Sequence, residues 1–92
     1  MNEARSIDSR RKRLAFRAWH RGTRELDLIV GKFADSVVPT LTEPALTEFE
    51  ALIEAPDPDL YDWIVGAVPP PAGYDTETFR RLRAFHRGTN PK

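Results

Sequence analysis

The chain contains no cysteine, and this absence excludes disulfide bonds and thiolate metal sites. It also lacks any apolar run near the ~20 residues that a membrane-spanning helix requires. No apolar segment follows the N-terminal methionine, so the sequence does not predict a secretory signal. We therefore expect a cytoplasmic protein that is whole from Met1 and does not insert into a membrane.

Residues suited to catalysis or to metal binding are scarce. The two histidines, His20 and His86, lie beside arginines that would repel a cation, and neither has a carboxylate four residues away. The serines and threonines fall at predicted helix caps, which favours structural roles for them. The five glycines are isolated, so no glycine-rich phosphate loop is predicted. We expect no catalytic, metal or cofactor site of the chain's own.

Net charge is also absent, because 14 basic and 14 acidic residues cancel, but the two signs are segregated. Residues 1–25 carry eight basic and three acidic side chains, whereas residues 26–78 carry one lysine and eleven acids. Residues 79–92 are basic again. Two interpretations stay open: the basic ends pack against the acidic middle, or the chain offers a basic face to an acidic partner.

Apolar residues recur with helical spacing along most of the chain, and no segment keeps the alternation of a strand. The strongest helical pattern is formed by Leu26, Ile29, Val30, Phe33 and Val37. Ninety-two residues suffice for one domain with a modest core. The predicted fold class is all-α, a compact bundle of five short helices in a single domain spanning residues 1–92.

Turn and cap residues predict where these helices begin and end. The predicted starts are Asp8 or Ser9, Thr23 or Arg24, Thr42, Asp57 as an N-cap before Pro58, and Asp75 or Thr76. Gly22 and Gly66 are predicted to end the first and fourth helices. Residues 1–7 and 87–92 are predicted to be disordered, and residues 69–73 to form a proline-rich linker before the last helix.

A short echo links the two basic ends, since residues 18–23 read AWHRGT and residues 84–89 read AFHRGT. A structural repeat would need a longer period and further copies. We interpret the echo as two similar helix C-caps.

The segment Arg21–Glu25 concentrates two arginines and one carboxylate at the junction of the first two predicted helices. A structural interpretation is available. Gly22 permits a positive φ, and the negative charge of Glu25 stabilises the next helix by roughly 0.3–1 kcal/mol through the positive end of the helix dipole. The same corner would present a dense polar cluster to a partner. The residues alone leave both interpretations open.

Extended through Leu26 and Asp27, this segment resembles the RGxxE motif of the succinate dehydrogenase flavinator family, which includes bacterial and mitochondrial assembly factors. The resemblance covers roughly residues 13–66. It continues through Leu41-Thr42, Phe49, Leu52-Ile53-Glu54 and the run from Asp57 to Ile64. It implies a five-helix fold and an accessory assembly factor of the bacterial cytoplasm that is not itself an enzyme.

The resemblance further implies a partner, the flavoprotein subunit of succinate dehydrogenase, with the fumarate reductase flavoprotein as a further client. The factor would promote covalent attachment of FAD to that subunit, with the FAD belonging to the partner. The implied partner-binding residues are Arg21, Gly22, Arg24 and Glu25. We expect a monomer whose Glu25 carboxylate is accessible to the client.

A basic run, residues 10–13 with Arg17 and Arg21, favours an alternative: a nucleic-acid-binding or regulatory helix that docks on phosphates. The acidic middle of the chain and a sequence pI of about 6.7 disfavour this alternative. The leading prediction therefore includes no nucleic-acid partner.

Overall fold

The structure is a computed structural model that describes residues 3–89, with side chains described for residues 7–88. Five α-helices follow one another along residues 3–89. They are α1 (Glu3–Trp19), α2 (Arg24–Val37), α3 (Glu43–Glu54), α4 (Asp57–Val65) and α5 (Glu77–Thr89). Short 3-10 turns, Val38–Thr40 and Ala72–Tyr74, precede α3 and α5. The prediction of an all-α fold with five helices is confirmed.

Several helix ends follow the predicted local chemistry. The backbone N–H of Ala45 donates to Thr42 Oγ1 at 3.4 Å, and that of Phe79 donates to Thr76 Oγ1 at 3.1 Å, so both threonines act as N-caps. Gly22 and Gly66 have φ values of 109° and 87°, a region that side chains other than glycine rarely adopt. Gly66 is the C-cap of α4, as predicted, whereas α1 ends at Trp19 and Gly22 lies in the bend that follows it.

The two ends of the described chain differ from the prediction. Helix α1 already begins at Glu3, upstream of the predicted cap at Asp8 or Ser9, because good helix formers precede Ile7 and Ile7 packs against the core. Helix α5 continues to Thr89. Residues 3–7 and 87–89 are thus helical where we predicted disorder, while residues 1–2 and 90–92 lie outside the described residues.

The sequence echo does not correspond to two similar caps. Gly22 has a positive φ in the bend after α1, whereas Gly88 lies inside α5 and has no positive φ. That prediction is wrong, because α5 continues through Gly88 to Thr89 and the left-handed conformation of a glycine cap is not adopted there.

The core is a cluster of apolar side chains drawn from all five helices. Phe33 of α2 is one of its largest fully buried side chains and is only 1% exposed. Its ring packs edge-to-face against Phe49 of α3 and Phe85 of α5, with centroids 5.4 and 5.6 Å away. These aromatic contacts join three helices at one point. Within residues 3–89, no helix combines the length and the apolar content needed to cross a membrane.

Helices α1 and α2 approach closely at Gly31. A Cβ atom built on Gly31 would lie 2.3 Å from the Trp19 ring, so any larger residue would displace that ring. The Trp19 indole also donates to Asp35 Oδ1 at 3.1 Å. Gly31 thus leaves room for the Trp19 ring, so that the last turn of α1 packs closely against α2. This close packing sets the geometry of the corner between the two helices.

Candidate functional site

Residues 20–23 form the corner between α1 and α2, and Asp27 fixes it from the following helix. The Asp27 carboxylate accepts a hydrogen bond from the backbone N–H of Arg21 at 2.7 Å. The backbone N–H of Asp27 donates to the Thr23 carbonyl at 2.9 Å. Both sides of the bend at Gly22 are therefore held by one residue of the first turn of α2.

The side chain of Arg21 turns inward and is only 4% exposed. Its Nε donates to Asp57 Oδ1 at 2.9 Å, and its Nη1 and Nη2 donate to the carbonyls of Ile53 and Ala55, both at 2.6 Å. Those carbonyls lie at the C-terminal end of α3, and Asp57 is the first residue of α4. One guanidinium thus joins the corner to α3 and α4.

These contacts change the interpretation of two residues. Asp57 was predicted to be the N-cap of α4, but Pro56 occupies that position and no side chain caps the helix. The Asp57 carboxylate pairs with Arg21 instead, because a guanidinium removed from water requires an anion and several acceptors. At Arg21 the structure favours a structural role over the predicted partner contact.

Arg24 and Glu25 lie on the outer side of the corner, in the first turn of α2, and both are exposed. The Tyr61 hydroxyl donates to Glu25 Oε2 at 3.3 Å. Beside this pair is a surface concavity of about 290 Å³, lined by Thr23, Glu25, Leu26, Asp57, Pro58 and Tyr61. The expectation that the Glu25 carboxylate is accessible is confirmed.

Two further arginines of α1 pair with acids of α3. Arg10 binds Glu50 through two hydrogen bonds of 3.2 and 3.0 Å, and Arg17 pairs with Glu54. Together with the Arg21 pair, these contacts join the basic first segment to the acidic middle segment. For these arginines, the structure supports the interpretation in which the ends neutralise the middle.

The sequence did not assign Tyr61 and Asp57 to the site. Each forms a contact with the corner across 36 residues of chain. The sequence offered one chemical indication, because a buried arginine needs an acidic partner. The middle segment, however, contains many acids at similar spacing, so this indication does not identify the partner. Only the packing of α4 against the corner selects these two.

The charge of Glu25 raises the pKa of Tyr61 above its ordinary value, and partial burial and the hydrogen bond to Glu25 act in the same direction. The neutral phenol is the form that donates this bond. The contact is therefore intact below pH ~10 and is lost as the pH rises through the raised pKa, because tyrosinate and Glu25 repel one another.

We expect the Glu25→Gln substitution to lower the pKa of Tyr61 towards its ordinary value, since the neighbouring negative charge is removed. The measurement is an absorbance titration of tyrosinate in a Tyr74→Phe background, which leaves Tyr61 as the one tyrosine of the chain. An unchanged midpoint after the substitution would show that Glu25 and Tyr61 do not interact in solution.

Metal-ligating side chains do not converge at this site. Over the described part of the chain, no three histidine, aspartate or glutamate side chains are grouped closely enough to hold a metal ion. The corner instead presents the exposed carboxylate of Glu25 beside the exposed guanidinium of Arg24. Such groups form charge-assisted hydrogen bonds to another protein.

Comparison with known proteins adds an independent result. Residues 12–86 match the family model described as flavinator of succinate dehydrogenase. An FAD assembly factor SdhE of Acetobacter pasteurianus is 43% identical over 77 residues, covering 84% of this chain and 71% of the relative. The residues matched by the family model include the corner and all the contacts that hold it.

Mitochondrial relatives are similar over a comparable part of the chain. Succinate dehydrogenase assembly factor 2 is 35% identical in Dictyostelium discoideum and 32% identical in Danio rerio, over 89% and 87% of this chain. The matched segments span 58% and 52% of these two relatives, so this chain corresponds to little more than half their length. With the fold and the corner described above, the chain belongs to the family of flavinators of succinate dehydrogenase.

Proposed function

We propose that this chain binds the flavoprotein subunit of succinate dehydrogenase through the outer side of the α1–α2 corner and promotes the covalent attachment of FAD to it. The observation that carries the proposal is the exposed Glu25 carboxylate, held by Tyr61 on a corner that the buried Arg21 fixes. Membership of the flavinator family supplies the client.

The chain's contribution is positional. The bond between the 8α carbon of the flavin and a histidine of the client forms within the client, which already holds the FAD. Holding the client in the conformation where those two groups meet can lower the barrier by several kcal/mol, up to about 7–11, without any acid or nucleophile from the helper. This fits a small protein whose site offers no catalytic constellation.

Glu25 and Arg24 supply the specific contacts of this proposal. A carboxylate accepts hydrogen bonds only, so Glu25 fits a guanidinium or backbone N–H groups of the client. Arg24 is its donor counterpart in the same helical turn. Because Tyr61 already orients Glu25, less side-chain freedom is lost when the client binds. Gly22 contributes the bend that brings both residues to the surface.

We propose that the flavin remains with the client and that the chain binds no cofactor of its own. The concavity beside Glu25, about 290 Å³, is at the lower limit of pockets that enclose small ligands and cofactors, about 300–1,000 Å³. We extend the proposal to the fumarate reductase flavoprotein as a second client, to a monomeric state and to a cytoplasmic location, all on the basis of the family resemblance.

The nucleic-acid alternative is weakened by the ion pairs of α1. Arg10 and Arg17, two members of the basic run, are engaged with Glu50 and Glu54. Contact with phosphates would have to break these pairs or approach a surface that carries the neighbouring carboxylates. The basic run is therefore better explained as part of the helix packing.

The test is reconstitution of purified client apoprotein, FAD and this chain, followed by detection of FAD that stays with the client after denaturation. Wild-type chain is expected to accelerate attachment. The acceleration by the Glu25→Gln variant is expected to be smaller by about tenfold or more, the effect of losing a central interface residue. The physical reason is that the amide keeps the size of the side chain but removes its charge.

Glu77→Gln is the matched control, because Glu77 is also an exposed glutamate in the first turn of a helix. Both substitutions remove the same favourable interaction with a helix N-terminus, about 0.3–1 kcal/mol. Attachment should therefore proceed at the wild-type rate with Glu77→Gln. Full acceleration by a folded Glu25→Gln variant would refute the assigned role of Glu25.

A further inference from the structure

Two cations on the outer face of α1 are left over from the helix packing. The other cations that α1 carries after residue 7 each pair with an acid: Arg10 with Glu50, Arg11 with Asp8 and Arg17 with Glu54. Among the described side chains, Lys12 and Arg13 form no ion pair, and both are exposed. They are the two members of the basic run that the packing of α1 does not use.

The acids that share a hollow with Lys12 are engaged elsewhere. This hollow lies between α1 and α2 and is lined in part by Asp8 and Asp35. Asp8 lies 3.8 Å from Arg11, and Asp35 accepts the indole N–H of Trp19 at 3.1 Å. The Lys12 ammonium group therefore stays exposed without a carboxylate of its own and is free to bind one from outside.

An exposed aromatic ring lies beside these cations. Phe16 is 63% exposed, and its ring stacks on the imidazole of His20 with centroids 4.0 Å apart. Lys12 and Arg13 lie four and three residues before it and His20 four residues after it, spacings that make side chains neighbours on a helix. We refer to these four residues as the α1 outer patch. Exposed aromatic residues and arginines are the side chains most enriched in protein interfaces.

The α1 outer patch is close enough to the corner to belong to the same interface. His20 directly precedes Arg21, and Lys12 lies about 10 Å along the helix axis from Trp19, the last residue of α1. A stable interface takes about 800 Å² from each partner. The concavity beside Glu25 has six lining residues, so the corner cannot supply that area alone. The interface must continue over a neighbouring surface, and the α1 outer patch is one.

The unpaired charges decide the chemistry of the occupant. Two cations without internal partners are complementary to carboxylates, whereas an apolar segment would have to desolvate both of them. A nucleic-acid strand carries a charge at every nucleotide and would run past Glu50 and Glu54, which pair with α1 beside the patch. A short acidic segment of a protein brings only the charges that the patch can balance.

We propose that the α1 outer patch binds an acidic segment of the flavoprotein subunit, with Lys12 and Arg13 contacting its carboxylates beside the exposed Phe16 ring. This inference rests on the proposed function and adds a second contact of opposite sign, because Glu25 fits a cationic or N–H donor group of the client. A client that presents both signs at matching positions would be held in one orientation. Such an orientation is what a positional role requires.

Carbodiimide coupling tests this contact directly, because it joins a lysine amine to a carboxylate that touches it. In the complex with the purified flavoprotein subunit, Lys12 is expected to be joined to an aspartate or glutamate of the client, identified by mass spectrometry. Lys32 of α2 is the matched control, since it is also exposed and forms no ion pair with the described residues. Complex formation without a cross-link from Lys12, or equal coupling of both lysines, would overturn the proposal.

Titration calorimetry with the same client measures the contribution of the two charges. Lys12→Gln combined with Arg13→Gln is expected to weaken binding about five- to tenfold at about 50 mM salt and less than about twofold at about 500 mM, because salt screens the contact. The control, Lys32→Gln combined with Arg81→Gln, removes the same net charge at exposed positions outside the patch and should bind as wild type does. Equal losses in both double variants would overturn the local contact.

Three further outcomes are distinguishable. An unaltered dissociation constant for Lys12→Gln with Arg13→Gln would overturn the second contact and leave the proposed function intact. Failure of the wild-type chain to bind the client would overturn both. Binding of a labelled single-stranded oligonucleotide of about 20 nucleotides, lost in the same double variant, would assign the patch to nucleic acid and overturn the acidic segment. All four substituted positions are exposed, so we expect the variants to unfold in urea at the wild-type midpoint.

Discussion

Replacing Arg21 with methionine is expected to lower the free energy of unfolding by about 3 kcal/mol, the lower end of the range for a broken buried ion pair. The substitution leaves Asp57 without its cation and the carbonyls of Ile53 and Ala55 without their donors. The lower end applies because Asp57 is 22% exposed and can regain water. The measurement is unfolding in urea followed by circular dichroism.

Arg24→Met is the matched control for this prediction. It makes the same chemical change within the same motif, but Arg24 is exposed, so the free energy of unfolding should change by no more than about 0.5 kcal/mol. Adding Asp57→Ala to Arg21→Met should restore part of the lost stability, because the unpaired carboxylate is removed. Equal effects of Arg21→Met and Arg24→Met would refute the structural role of Arg21.

The second large effect is expected at Phe33, in the core. Phe33→Ala should lower the free energy of unfolding by about 3–5 kcal/mol, because it leaves a cavity where three aromatic rings meet. Domains are commonly stable by only about 5–15 kcal/mol, so this loss is a large share of the total. The same urea titration measures it.

Phe16→Ala is the control for the core prediction. The substitution is identical, but Phe16 is 63% exposed and Phe33 is 1% exposed. We expect a change within about 0.5 kcal/mol for Phe16→Ala, since no cavity forms. If the two variants were destabilised equally, the assignment of Phe33 to the core would be wrong.

The helices could be predicted largely because their determinants are local. The apolar spacing of α2, the threonine caps at Thr42 and Thr76, and the glycine cap at Gly66 each act within about one turn of helix. The start of α1 was predicted too late, because a cap-forming residue at Asp8 was given more weight than the helix-forming residues before it. Such ends depend on weak preferences that packing can override.

The candidate site could be predicted only in part. The motif located the corner and the exposed Glu25, but it assigned the same outward role to Arg21. Two arginines three residues apart look alike in a sequence. They differ here because the bend at Gly22 directs one towards the ends of α3 and α4 and leaves the other on α2.

The sequence by itself determined the fold class, most helix ends, and the family to which the motif belongs, because helix periodicity, capping and motif spacing are properties of neighbouring residues. Only the tertiary structure decided that Arg21 is buried against Asp57, that Tyr61 holds Glu25, and that Trp19 packs on Gly31. These outcomes depend on how helices far apart in the chain are oriented to one another. That orientation follows from filling one shared core, a condition that no local segment contains.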